Sequence, residues 1–169
     1  MQGASVGDSD KVSDDFMRIL YETETRVRHS AHAHWSATNR MDTLNRFSTV
    51  STLIGGFLVS LLAALPVLYK DLYLPHSDLL NAALFVLGGS VSVISVMQAV
   101  QRWGERSQSH FNAASAYSSL RRKLEILRLN LPGSAPQLSV ILEDLRQLGE
   151  TAPAVPEGLW NKAIRAAKV

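Results

Sequence analysis

The chain has 169 residues, 46% hydrophobic and 19% charged, with a net charge of +2 and a mean hydropathy of +0.03. That length suits one domain or a compact pair, and so small a net charge gives no ground for a DNA or RNA partner. The absence of cysteine excludes disulfides, thiolate zinc sites and cysteine nucleophiles together.

These averages blend two materials. Residues 47–69 and 79–100 hold 45 positions without one Asp, Glu, Lys or Arg, so all 32 charges fall on the other 124 residues. About a quarter of those positions are therefore charged, the ordinary level for a soluble surface. A secreted mini-domain, a disordered tail and a simple soluble enzyme are all excluded by this partition.

In chain order, residues 1–13 lack periodicity and read as a disordered N-terminus ending on Ser13. Ser13 can cap a helix whose first turn carries Asp14 and Asp15, a favourable sign for the helix dipole. Over 14–46 a stripe runs Phe16, Leu20, Thr23, Val27, Ser30, His34, Ala37, Met41, Leu44 in a 4-3 rhythm, with no breaker before the first apolar segment. His29, His32 and His34 cluster here, but only the first two share a face, at i and i+3. Chelation across adjacent helical turns prefers i and i+4, so these histidines read as a polar face and no metal site is expected.

Crossing a hydrocarbon core of about 30 Å takes about 20 apolar helical residues; 47–69 offers 23 and 79–100 offers 22. The first span is expected to act as an uncleaved signal anchor. A linker of nine residues, 70–78, forces an antiparallel hairpin. It carries one Lys, whereas Arg28, Arg40 and Arg46 precede the hairpin and Arg102 and Arg106 follow it. The positive-inside rule then places both termini in the cytoplasm, and Tyr69, Tyr73 and Trp103 suit an interfacial aromatic belt.

Within the spans, Ser48, Thr52, Gly56, Ser60 and Ala64 recur every four residues, and Gly88, Ser92, Ser95 and Ala99 follow a 4-3-4 spacing. Gly55 and Gly89 double the glycines, and Pro66 is expected to bend or end the first span near its outer end. Small residues let helices approach closely in lipid, so one reading is packing between spans or between copies. The other is that these hydroxyls line a water path in an oligomer, which Asn81 and Gln98 favour because amides in lipid are expensive.

A second long helix is expected over about 101–131, with the stripe Trp103, His110, Ala113, Tyr117, Leu120, Leu124, Leu127, Leu131, closed by Pro132 and Gly133. It pairs with 14–46 along a heptad-like seam whose dilute middle calls for further helices to fill it. Those are expected at 136–148, with Leu138, Ile141, Leu142, Leu145 and Leu148 on one face, and at 156–167 after a Pro-rich turn, opened by Pro156. The last helix, bearing Leu159, Trp160, Ala163, Ile164 and Ala167, either docks on the bundle or lies on the membrane surface. His34 and His110 both occupy seam positions, where antiparallel helices could bring them together as hydrogen-bonded core histidines or a pH-sensitive contact. Arg121, Arg122 and Lys123 form a candidate patch for an anionic ligand, about 30 Å beyond the second span on a straight helix. Glu22 and Glu24 fall at matching height, so interhelical salt bridges or plain solvation compete with a ligand. No Ser-His-Asp pattern, phosphate loop, dinucleotide fingerprint or paired-carboxylate motif occurs, so no catalytic, cofactor-binding or metal residue is assigned and no enzyme is expected.

A cytoplasmic helix, a tight two-span hairpin, then Ala-Tyr-Ser-Ser-Leu-Arg-Arg-Lys at 116–123 and Leu-Gly-Glu-Thr-Ala-Pro-Ala-Val-Pro at 148–156 resemble the SLATT family over residues 14–168. The resemblance implies a bacterial two-span effector of nucleotide-signalling conflict systems, pore-forming and acting in abortive antiviral defence. It further implies a cyclic nucleotide signal or a nucleotidyltransferase-linked partner, and supplies no ligand residues. The expected fold is therefore an all-α membrane protein, an antiparallel two-span hairpin continuing into a cytoplasmic helical bundle at the inner membrane. Its expected partners are the lipid bilayer and further copies of itself, since one hairpin cannot enclose a pore. The alternative is a non-conducting anchor, scaffold or sensor that recruits a cytoplasmic partner; a wholly soluble bundle is a third reading.

Overall fold

A computed structural model describes residues 6–69, 74–129 and 135–166. The described residues form five α-helices, α1 (Val6–Leu68), α2 (Ser77–Gln101), α3 (Trp103–Leu129), α4 (Ala135–Thr151) and α5 (Glu157–Ala166), with one 3-10 turn at Leu74–His76 before α2. No strand occurs among the described residues. Residues 1–5, linker positions 70–73, Leu131 with Pro132 and Gly133, and the end from Ala167 lie outside them. Helical backbone begins at Val6 and not at Ser13, so the described part of the N-terminal stretch expected to be disordered is helical.

Two compact units result, one of Met1–Asn39 with Ser107–Val169 and one of Arg40–Arg106. In the first, the 4-3 stripe of α1 is buried at Leu20, Thr23, Val27, Ser30, His34 and Ala37, and α3 answers with His110, Ala113, Tyr117, Leu120, Leu124 and Leu127. The pairs Glu24–Arg128, His34–His110 and Thr38–Ser107 run in opposite senses, so α1 and α3 are antiparallel. Leu138, Ile141 and Leu145 of α4 complete the cluster, with Phe16, Leu148 and Ala152 at its margin. Leu20, Val27 and Leu124 are essentially inaccessible, each worth roughly 1.5–3 kcal/mol of burial. α5 docks on this unit: Ala163 is buried, and Trp160 shares a cleft wall with Tyr21, Arg26 and His29 of α1. The carbonyl of Pro156 accepts the amides of Leu159 and Trp160, which starts α5 directly after the proline.

In the second unit, the later part of α1 touches α2 and the start of α3. Gln98 donates to Thr49 Oγ1 (2.9 Å), a Cβ at Gly55 would collide with the Val91 side chain, and Gly104 lies against Asn45. Pro66 remains inside α1, which runs two residues further. A continuous α3 covers most of the helix expected over about 101–131, and Arg102 separates it from α2. Arg102 adopts φ 48°, ψ 43°, the one positive-φ residue other than glycine among those described, and its amide caps α2 through the Gln98 carbonyl at 3.0 Å. Arg106 then donates to the Arg102 carbonyl, so hydrogen bonding resumes at once and α3 starts at Trp103. The Arg102–Glu105 ion pair spans the break.

Gly55 and Gly56 are adjacent in sequence but differ in surroundings, for nothing lies within 4 Å of a Cβ built at Gly56. Gly55→Leu should lower the apparent Tm in detergent by separating α1 from α2, at a cost of about 1–3 kcal/mol. Gly56→Ala should leave it unchanged or raise it through better helix propensity. Equal effects of the two substitutions would contradict this packing.

Candidate functional site

The seam of the first unit brings two of the sequence candidates into contact. His34 and His110 are each 4% exposed, and their Nδ1 atoms lie 3.0 Å apart. One imidazole must donate from Nδ1 while the other accepts, so the two neutral rings hold opposite tautomers. Tyr117 stacks on His34 with centroids 5.4 Å apart and planes inclined by 21°. Thr38 donates to the His34 carbonyl, and Ser107 donates to the Thr38 carbonyl from across the seam. Small residues make this contact possible: Ala33, Ala37, Ala113 and Ala114 are buried around it, letting the helix backbones approach.

Burial, with a smaller contribution from the nearby His110, depresses the His34 pKa to about 4; burial also lowers that of His110. Tyr117 is shifted upward by burial, offset by the Arg26 charge and a hydrogen bond with Ser30. Arg26, Ser30, His34 and Tyr117 line a cleft of about 310 Å³, and the connection Pro153, Ala154, Val155 with Trp160 forms its opposite wall. Thus the dilute middle of the seam is filled by close approach of α1 and α3, with the α4–α5 connection beside it. Arg26, Ser30 and Tyr117 were not singled out as site residues from sequence; the signal for Ser30 and Tyr117 was their place on the same stripes as the histidines.

The small-residue candidates in the second unit divide. Ser48 is buried and Thr52 half-buried, Gly56 meets nothing, and Ser60 is exposed. A strict four-residue repeat advances 40° beyond a full turn at each step, so five members cannot share one face. The facing line instead passes through Asn45, Thr49 and Gly55. On α2, Gly88, Ser95 and Gln98 are half-buried and Ser92 is exposed, so these do not form one uniform surface. Ser60, Ser92 and Ser95 each donate to the carbonyl four residues earlier, at 2.8–2.9 Å. Thr52 Oγ1 is buried without a hydrogen-bond partner.

The basic triplet also divides. Arg121 donates to Glu125 on its own helix at 2.9 Å, and Lys123 reaches Asp144 of α4 at 2.8 Å. The interhelical bridge to α1 is made by Arg128 and Glu24 at 3.3 Å, not by the triplet. Among the described residues no group of three or more His, Cys, Asp or Glu side chains could hold a metal ion. No family model, curated protein or solved structure matches this chain.

A histidine held neutral by burial binds its proton more weakly folded than unfolded, so stability is complete above about pH 6.5. It should fall as pH drops from there towards 4, by on the order of 2–3 kcal/mol. Thermal unfolding between pH 4.5 and 7.5 should show this slope, and His34→Leu should flatten it; an unchanged slope in that variant would assign the acid sensitivity elsewhere. Thr52→Val, which removes an unpaired buried hydroxyl at constant shape, should be neutral or stabilising by up to about 1–2 kcal/mol in the same assay. A loss of stability would reveal a partner for that hydroxyl.

Proposed function

We propose that this chain is a two-span membrane protein with cytoplasmic termini that assembles with copies of itself and permeabilises the bacterial inner membrane. One observation carries the membrane reading. Two helices are long and apolar enough to cross a membrane, and none of the most apolar stretch of either is buried within the chain. Phe47, Leu53, Phe57, Phe85 and Val93 are among the large side chains left uncovered. A soluble protein would bury such residues in its core, whereas lipid solvates them without cost and positive-inside counting orients the hairpin.

Assembly and permeabilisation are supported by the stoichiometry of the hairpin: two helices cannot enclose a channel, and only one narrow face of each is used. The resemblance to the SLATT family extends this reading to nucleotide-signal-dependent antiviral defence. A second reading, a non-conducting membrane anchor or scaffold, is favoured by the serines. Ser60, Ser90 and Ser92 spend their donors on their own helix, so they can face lipid without needing water.

Dye release from liposomes separates the two. A permeabilising oligomer should release a small fluorophore in proportion to bound protein. Ser92→Leu, at an exposed position away from the α1 contact, should reduce release several-fold while crosslinked oligomers persist. Intact liposomes at saturating protein would leave the anchor, and recovery of the full chain in the soluble fraction without detergent would remove both.

A further inference from the structure

The cleft of about 310 Å³ beside the histidine pair holds more hydrogen-bonding capacity than the seam itself uses. Ser30, His34 and Tyr117 give it a polar floor, and each of them is only 4–6% exposed. His34 turns Nδ1 to His110, and its Nε2 has no hydrogen-bond partner among the described residues. Thr52 Oγ1 is the one fully sealed side-chain polar atom left unpaired among those residues. Nε2 is therefore not sealed, and the cleft that His34 lines gives access to it. The hydroxyls of Ser30 and Tyr117 bond to each other. That bond uses one of their two hydrogens and leaves the other for a further acceptor.

Arg26 supplies the charge. Its guanidinium is close enough to act on the Tyr117 phenol, and it makes no ion pair among the described residues. Glu22, one turn earlier on α1, shares a neighbouring cleft with Arg26, and no carboxylate lines this one. The remaining walls are largely apolar, with Leu145, Ala152, Pro153, Val155 and Trp160. A concave, mostly apolar space with a few convergent polar groups is the usual construction of a small-molecule site, and this one falls at the small end of the common range of about 300–1,000 Å³.

The lining also selects the ligand's chemistry. One guanidinium among neutral donors balances one negative charge. A phosphate monoester carries nearly two, and the second would be left without a cation. A carboxylate presents two oxygens to the guanidinium fork and needs nothing more. His34, Tyr117 and Trp160 bring three aromatic side chains to the same space, which suits a flat ring.

We propose that this cleft binds a small aromatic carboxylate. Arg26 takes the carboxylate in its fork, the remaining hydroxyl hydrogen of Ser30 and Tyr117 and the Nε2–H of His34 donate to it, and Pro153 and Trp160 face the ring. Because Nε2 must then donate, His34 accepts at Nδ1 and the proton shared across the seam stays on His110. The ligand thereby selects one of the two tautomer arrangements open to the neutral pair. The site does not depend on permeabilisation, because every residue in it belongs to the first unit.

The full chain in non-ionic detergent, with Trp35→Phe and Trp103→Phe leaving Trp160 as the one indole, tests this by titration with benzoate and with its neutral counterpart benzamide. A saturable change in Trp160 emission is expected with benzoate, and binding about tenfold weaker or less with benzamide. Arg26→Gln with an unchanged circular dichroism spectrum should weaken benzoate binding by about tenfold or more, whereas Arg122→Gln, outside the cleft, should not change it. In the benzoate-saturated protein, nitrogen NMR of labelled imidazoles should find the His34 proton on Nε2. No saturable response to benzoate overturns the proposal. So do equal affinities for benzoate and benzamide, an unaltered affinity in Arg26→Gln, or a His34 that carries its proton on Nδ1 when saturated.

Discussion

What the second unit must solve is the covering of apolar side chains by a chain too small to cover them. A pair of helices can bury one strip of each, and here the strip is narrow, polar and closely spaced. Gly55 lets α2 approach through the Val91 side chain, and Gln98 fastens the contact on Thr49. Everything outside the strip is left to the surroundings. The backbone can tolerate an apolar medium because helices satisfy their own amides and carbonyls. The serines extend that economy to their hydroxyls, so the same residues that suggest a water path are equally at ease without one.

The first unit solves a different problem with similar means. Its seam is strongly apolar where Leu20, Leu120, Leu124 and Leu127 meet α4, and becomes small and polar where Ala33, Ala37, Ala113 and Ala114 surround the paired histidines. Large side chains hold helices apart, whereas alanines bring the backbones close enough for the imidazoles to share a hydrogen bond. The contact is favourable while both rings stay uncharged, since a proton added to the accepting Nδ1 would set two N–H donors against each other 3.0 Å apart and place a charge where there is little water. Arg26 lies on the Tyr117 side of the seam, where its charge acts on the phenol.

Helix periodicity made much of this legible in the sequence. The 4-3 rhythm that puts Leu20, Val27 and His34 on one face of α1 also fixes which residues of α3 can oppose them, so the histidine contact follows from register. The break at Arg102 had no such signal. Arginine favours helix, and glycine or asparagine usually marks a left-handed residue, so nothing in the local sequence announces the positive φ at position 102. The four-residue repeat of small residues drifts around the helix, so its members part: Ser48 is buried and Ser60 exposed, while Gly55, one position off the repeat, sits at the close approach.

The same geometry governs the charged triplet. Arg121, Arg122 and Lys123 look like one patch in sequence, but successive helical residues point about 100° apart, so three in a row sweep some 200° of the surface. Lys123 consequently turns to α4, while Arg121 and Arg122 line a cleft with α1. Arg28, 94 positions away in sequence from Arg122, shares the walls of that cleft through the antiparallel register that also pairs the histidines.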